Sequence, residues 1–245
     1  MNLSRKQREI ANRHALFLDI AENILVEEGF HLLSMERIAE VAEYSKGTVY
    51  QHFTCKEEIL IQLCIKCMTQ LNTLFSKAAQ FDGSQRDRII AVFYAHQLWS
   101  RTGNNRTDML MHLSMHGVRE KVTERSLQQH DELEQSLVGL VNRIVQQAID
   151  DGELPKHKHM LPEEIVFGVW SLNSGGRMLQ QSDLPLEDFG ISNADMTLLR
   201  MLNVVLDGLD WQPLHNETQF KKLLKKFNSN LFFDEHKQTT ENEKH

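Results

Sequence analysis

The chain has 245 residues, 41% of them hydrophobic and 25% charged, a balance that supplies a buried core and excludes a fibrous or wholly disordered chain. With 34 acidic against 27 basic residues the formal net charge is -7, which excludes coating of nucleic acid by bulk positive charge, so any DNA contact must rest on a local arrangement. No apolar run approaches the ~20 residues of a membrane span, the start Met1-Asn2-Leu3-Ser4-Arg5-Lys6 is unlike a signal peptide, and three cysteines (Cys55, Cys64, Cys67) make no disulfide framework, so a cytoplasmic protein with no membrane partner is expected.

Apolar residues recur at steps of three and four, and there are only 4 prolines, which predicts an all-α chain. The first helix carries Ile10, Phe17, Ile20, Ala21, Ile24 and Leu25 on one face and stops at Gly29, with Phe30 folding back onto the core. Ser34 caps a short helix over 35–42, and Ser45 caps a second over 46–53, with only Glu43 and Tyr44 between them. Thr54 followed by Glu57 fits a capping box, and the helix after it bears the stripe Ile59, Leu60, Leu63, Cys64, Cys67, Met68, Leu71 and Phe75. Beyond the break near Phe81-Asp82-Gly83-Ser84, helices are predicted over about 85–101, 106–117, 120–150, 162–181, 194–211 and 217–229. Residues 234–245 read as a mobile polar tail.

Two short helices joined by a tight turn can present the second to a major groove while the first crosses the backbone. Lys46 and Thr48 lie in the first turn of that second helix, and Gly47 between them removes a side chain where a backbone approaches DNA. Tyr50, Gln51 and His52 add a phenol, an amide and an imidazole, while Val49 and Phe53, four apart, anchor the helix to the core. Phosphates suit the helix starts at Ser34-Met35 and at Lys56, and Tyr44 and Ser45 at the turn complete the candidate DNA contacts.

Charge qualifies this reading. Arg5, Lys6, Arg8, Arg13, Arg37, Lys46 and Lys56 are offset by Glu9, Asp19, Glu22, Glu27, Glu28, Glu36, Glu40 and Glu43, so the acids must face away from DNA. Arg5, Lys6 and Arg8, placed before the first helix, either reach a phosphate or minor groove or form a solvated helix start.

The stretch from Leu33 to Phe53, with Ile38-Ala39-Glu40-Val41-Ala42, then Ser45-Lys46-Gly47-Thr48-Val49-Tyr50-Gln51-His52-Phe53, then Lys56-Glu57, closely resembles the TetR family. The resemblance covers about the first quarter of the chain. It implies a three-helix DNA-binding domain over 1–55, a helical ligand-binding and dimerisation domain over 56–233, and the tail over 234–245. It places DNA contacts on Lys46, Gly47, Thr48, Tyr50, Gln51, His52 and Lys56, with phosphate contacts near Ser34 and Met35. Glu43-Tyr44 departs from the family's frequent Gly-Val, and a non-glycine residue at positive φ there carries ~1 kcal/mol of strain.

Behind this segment, residues 162–211 form two apolar helices with Gly168, Gly175, Gly176 and Gly208, suited to a dimer bundle or to a hairpin within one subunit. Phe93, His96, Trp99, Met109, Met111, His112, Met115, His116, Trp170, Met178 and Met201 are an adaptable set from which a mostly apolar effector pocket can be drawn, the rest being core. His112 and His116, four apart, have spacing that can hold zinc, and Cys64 and Cys67 form a lone pair; packing explains both without a metal. Lys221, Lys222, Lys225 and Lys226 alternate with Phe220, Leu223, Leu224 and Phe227, as in a final helix docked by its apolar face or one that touches an anionic surface.

No phosphate-binding glycine loop, nucleophile elbow or paired metal motif is present, so neither an enzyme nor a cofactor is expected. The expected function is a ligand-responsive repressor that binds a near-palindromic double-stranded DNA operator as a homodimer through 162–211 and is released by a hydrophobic or amphipathic small molecule. The alternatives are a ligand-independent architectural DNA-binding protein and a metal- or redox-responsive regulator.

Overall fold

Helices account for the regular structure of the computed structural model, which describes residues 4–102, 117–156, 160–182 and 184–242 and has no strand among them. The described residues fall into two compact units, one drawn from Met1–Thr69 and Asn104–Leu133, the other from Gln70–Gly103 and Glu134–His245. The boundary expected between residues 55 and 56 falls inside the first unit, because the helix that starts there, α4 (Lys56–Ala79), packs its opening turns into that unit's core.

In the first unit Ser4 opens α1 (Arg5–Glu27) with a reciprocal cap: Gln7 N donates to Ser4 Oγ at 3.3 Å and Ser4 N to Gln7 Oε1 at 2.9 Å. Arg5, Lys6 and Arg8 therefore lie within the helix, not before it as expected, because the cap forms upstream of them. The helix ends at Gly29, whose φ of +89° is open to glycine at little cost, and a 3₁₀ turn at Phe30–Leu32 follows. Next come α2 (Met35–Val41), capped by Ser34, and α3 (Lys46–Tyr50), capped by Ser45. Phe17, Ala21, Ile24 and Leu25 of α1 meet Ile38, Val49, Phe53, Ile59 and Leu63 in one buried cluster. Of the described helices only α4 is long and apolar enough to cross a membrane, and its residues Ile59, Leu60, Ile61, Leu63, Cys64 and Ile65 belong to this core.

The second unit contains α5 (Gln85–Thr102), most of α6 (Glu124–Asp150), α7 (Pro162–Gln180), α8 (Ala194–Gly208), α9 (Glu217–Lys226), a π turn (Phe227–Leu231) and α10 (Phe233–Asn242). The helix expected over 106–117 lies outside the described residues but for its end. Helix α8 packs between α5 and α7. Gly176 makes the α7 contact close: a Cβ there would come within 2.4 Å of the Leu198 side chain, whereas Gly168, Gly175 and Gly208 meet nothing within 4 Å. Helix α9 is docked by Phe220, Leu223 and Leu224, leaving Lys221, Lys222, Lys225 and Lys226 exposed.

The polar tail is also corrected, since 233–242 is helical. Phe232 is fully buried just before it, and Lys77 Nζ holds Glu235 at 2.9 Å while lying over the Phe232 ring. One aromatic anchor and an ion pair fix a segment whose composition alone gives it no reason to fold.

Polar groups tie this unit together. Arg86, with no exposed surface, donates to the carbonyl of Trp211 and to Asn203 Oδ1 (2.9 Å) and pairs with Asp207. The neighbouring Asp87 meets His215 Nε2 at 2.7 Å. Burial pushes the Asp87 carboxyl up, but hydrogen bonds from His215 and Ser84 outweigh it and hold the carboxyl below its ordinary value. A carboxyl so lowered contributes stability that is complete above the ordinary carboxylate range and is lost as the pH falls through the lowered value. Asp87→Asn is therefore expected to cost about 1–3 kcal/mol in urea unfolding at pH 7 and almost nothing once the pH has fallen through that lowered value; a cost independent of pH would contradict the pairing.

Candidate nucleic-acid interface

Helix α3 is sorted sharply by its own period. Val49 is fully buried and Phe53, just beyond the helix, is 2% exposed. Each contributes about 1.5–3 kcal/mol by burial, which fixes the opposite face outward. On that face are Ser45, Lys46, Gly47, Tyr50 and Gln51, all exposed, with Thr48 and His52 half-buried at its edges. Ser45 Oγ accepts from Thr48 N and shares a hydrogen bond of 2.8 Å with Thr48 Oγ1, so the two hydroxyls hold each other at the helix start. Ser34 caps α2 through Arg37 N, while the Met35 side chain is 4% exposed, so at this position only the main chain can approach a phosphate. Lys56 is half-buried, its Nζ 4.7 Å from the centre of the Phe30 ring.

The turn between α2 and α3 carries a residue in the left-handed region. Tyr44 N donates to Ala39 O at 3.0 Å and Glu43 N to Glu40 O at 3.2 Å, a left-handed helix end with Glu43 at φ +57°. The expected positive φ, and the strain that goes with it, are thus present at Glu43. Left-handed backbone costs a side-chain-bearing residue about 1–2 kcal/mol, and glycine gives back part of that through unfolded-chain entropy. Glu43→Gly is expected to raise stability by about 0.5–1 kcal/mol in urea unfolding, and a decrease would show that Glu43 makes a compensating contact. Tyr44 is half-exposed, with Phe17 edge-on at 5.5 Å and the Arg13 guanidinium 5.4 Å from its ring centre, so it also pins α1 to the turn.

The surrounding acids are largely spent on local pairs. Arg37 bridges Glu28 (2.9 Å) and Glu40 (3.1 Å), and Lys66 bridges Asp19 (2.9 Å) and Glu22 (3.0 Å). Lys46 Nζ rests 3.1 Å from Glu36, whose carboxyl is held below its ordinary value by a backbone hydrogen bond at its own residue and then by Lys46. The Lys46–Glu36 pair is solvent-exposed and worth little, so a phosphate can displace it.

Residues 17–63 match the family model for bacterial regulatory proteins of the tetR family, a span that holds the whole α2-turn-α3 unit. This segment is a DNA-binding domain of the TetR type. It is 22% identical over 161 residues to the fatty acid metabolism regulator protein of Bacillus subtilis, covering 64% of this chain and 79% of that protein. Two solved structures share the fold. A tetR-family regulatory protein from Rhodococcus RHA1 gives a TM-score of 0.62 at 17% identity, covering 80% of this chain and 96% of its own. The ketosteroid transcriptional regulator KstR2 of Mycobacterium tuberculosis gives 0.60 at 15% identity, covering 80% and 94%.

Of the residues expected to line an effector pocket, those that are described differ in their surroundings. Phe93 and Trp99 are buried in α5, 2% and 8% exposed, with His96 half-buried and its ring 5.6 Å from that of Trp99. Trp170 and Met178 are instead 50% and 65% exposed. The helical period explains it, since Ile165, Val169, Asn173 and Arg177 form the buried stripe of α7 and Phe167, Trp170 and Met178 lie opposite. Met109, His112, Met115 and His116, including the histidine pair with metal-binding spacing, lie outside the described residues. Cys64 belongs to the core of the first unit, with Cys67 packed against it.

One feature escaped sequence reasoning. His14 of α1 and His52 at the end of α3 face one another with ring centres 5.8 Å apart, and His14 stacks on Phe53 at 4.4 Å. Burial holds both imidazoles below the ordinary histidine value, helped at His14 by His52 and at His52 by Arg13, with Glu58 opposing at His14. The signal was weak: His14 sits three residues before Phe17 and belongs to no spaced motif, and the stretch that contains His52 says nothing of a partner on the first helix.

Proposed function

We propose that the chain is a homodimeric, ligand-responsive repressor acting in the cytoplasm, with the α3 helices of two subunits in successive major grooves of a near-palindromic operator, ~34–36 Å apart. The observation that carries this reading is the division of α3 into a buried anchor, Val49 with Phe53, and an exposed polar face, Lys46, Gly47, Tyr50 and Gln51, with Thr48 and His52 at its edges. Gly47 leaves room for close approach, as the nearest atom to a Cβ there is Ser45 Oγ at 3.7 Å. Ser34, the main chain of Met35, Ser45 and Lys56 serve as phosphate contacts that set register, and Tyr44 borders them.

The second subunit docks on the outer face of α7 and α8. Phe167, Trp170 and Met178 on α7 are 65%, 50% and 65% exposed, and Met201 and Val204 on α8 are 45% and 56% exposed. An apolar patch of this kind, open at Gly168 and Gly175, suits a second helix pair of the same type.

The effector is a hydrophobic or amphipathic molecule that prefers the conformation unable to match DNA, since only differential affinity moves the balance. The name of the Bacillus relative, a regulator of fatty acid metabolism, supports an amphipathic acyl-type compound. The test is titration of such amphiphiles into a preformed protein–operator complex, followed by fluorescence anisotropy. Release at concentrations that leave the protein folded is expected; a complex insensitive to the whole series would favour a ligand-independent architectural role.

A further inference from the structure

Within the first unit a cavity of about 300 Å³ opens between α1, the end of α3, α4 and the start of α6. Its lining is polar: His14, His52, Glu58, Gln62, Arg125 and Gln129 contribute to it. Arg125 and Gln129 are exposed at its mouth, and the two imidazoles are half-buried in its wall. The imidazoles touch aromatic rings, and neither has a hydrogen-bond partner among the described residues.

We propose that this cavity binds a small oxyanion, of the carboxylate or phosphate kind, held by Arg125 and by the protonated rings of His14 and His52. The one acid in the wall does not oppose it strongly. Glu58, 6% exposed, accepts hydrogen bonds from Thr123 N (2.9 Å), Thr123 Oγ1 (3.1 Å) and Ser126 Oγ, so its charge is committed to the start of α6. With neutral rings, Arg125 and Glu58 cancel. With both rings protonated the wall carries a surplus of positive charge, increased by Arg13 beside His52.

Occupancy is therefore linked to protons. Burial, with His52 acting on His14 and Arg13 on His52, disfavours the charged form of both rings, and an anion in the cavity would favour it. Affinity rises as the pH falls through the imidazole range. Since His52 follows the recognition helix directly, a bound anion would draw it toward α1 and α6 and away from DNA.

The site is tested on the full-length chain with histidine-labelled protein, titrated with sodium phosphate and separately with sodium acetate. Chloride holds the ionic strength constant, and NMR reads the ring resonances, assigned through His14→Gln and His52→Gln. The expected result is a saturable shift of both rings, about tenfold tighter near pH 6 than near pH 8, weakened about tenfold by Arg125→Ala with no change in melting temperature. Saturation by phosphate alone assigns a tetrahedral oxyanion, and saturation by acetate as well extends the class to carboxylates. A shift that rises linearly with either salt, one indifferent to Arg125→Ala, or one seen only after duplex DNA is added would overturn the proposal.

Discussion

Replacing Lys46 and Tyr50 together by alanine is expected to weaken operator binding about a hundredfold or more while leaving the fold unchanged. Both side chains are exposed on α3, Tyr50 by 50%, and neither enters the core that Val49 and Phe53 make. Alanine is a good helix former, so the five-residue helix capped by Ser45 keeps its start and its anchor. The variant loses an ammonium and a phenol at each recognition helix, and hydrogen bonds to charged partners contribute about 1.5–3 kcal/mol apiece. On the proposed symmetric dimer every loss counts twice. The only interaction forfeited in the free protein is the exposed Lys46–Glu36 pair, so the melting temperature should hardly move. Because the Lys46 ammonium would add an electrostatic contribution at DNA, affinity must be compared across a salt series, and the variant's dependence on salt should be shallower. Unchanged affinity at matched salt would remove α3 from the interface.

Phe167→Asp combined with Trp170→Asp is expected to turn the proposed dimer into a monomer. The two side chains, 65% and 50% exposed, are poor candidates for holding the chain's own fold and good ones for anchoring a partner. Their rings lie 6.5 Å apart, nearly perpendicular, and so form one aromatic knob on the outer face of α7. Aromatic anchors at interface centres are worth about 2–4 kcal/mol each, and on a two-fold interface both copies are lost and replaced by facing carboxylates. Sedimentation should show a monomer at concentrations where the parent is dimeric, with helical content intact. Operator affinity should fall in parallel, because one half-site alone must then hold the protein. A dimer of unchanged mass would move the interface elsewhere.

Legibility in the sequence followed the range of the physics involved. Ser34, Ser45 and Gly29 act on their immediate neighbours, and each helix they bound was predictable from them. The strain at Glu43 was foreseeable too, because φ at a helix end depends on residues within one turn. Val49 and Phe53 were read as anchors from their spacing and are buried. Distance defeated the rest. Trp170 and Met178 were grouped with Phe93 and Trp99 by residue type, yet which stripe of α7 is buried is decided by what packs on Val169, Asn173 and Arg177. Polar composition hid α10, which depends on Lys77 reaching Glu235 across 158 residues. The pairing of His14 with His52 joins two helices that share no motif and becomes visible only once α1 lies against the end of α3.

The central claim is that this chain reads DNA through α3, and selection from a random duplex pool tests it most directly. Purified full-length protein, carried through successive rounds at fixed salt, should enrich one near-palindromic sequence with half-sites a helical turn or a small multiple of it apart. The Lys46→Ala, Tyr50→Ala protein run alongside should enrich nothing. A final pool indistinguishable from the input for the parent protein, or the same motif recovered by both proteins, would contradict the account.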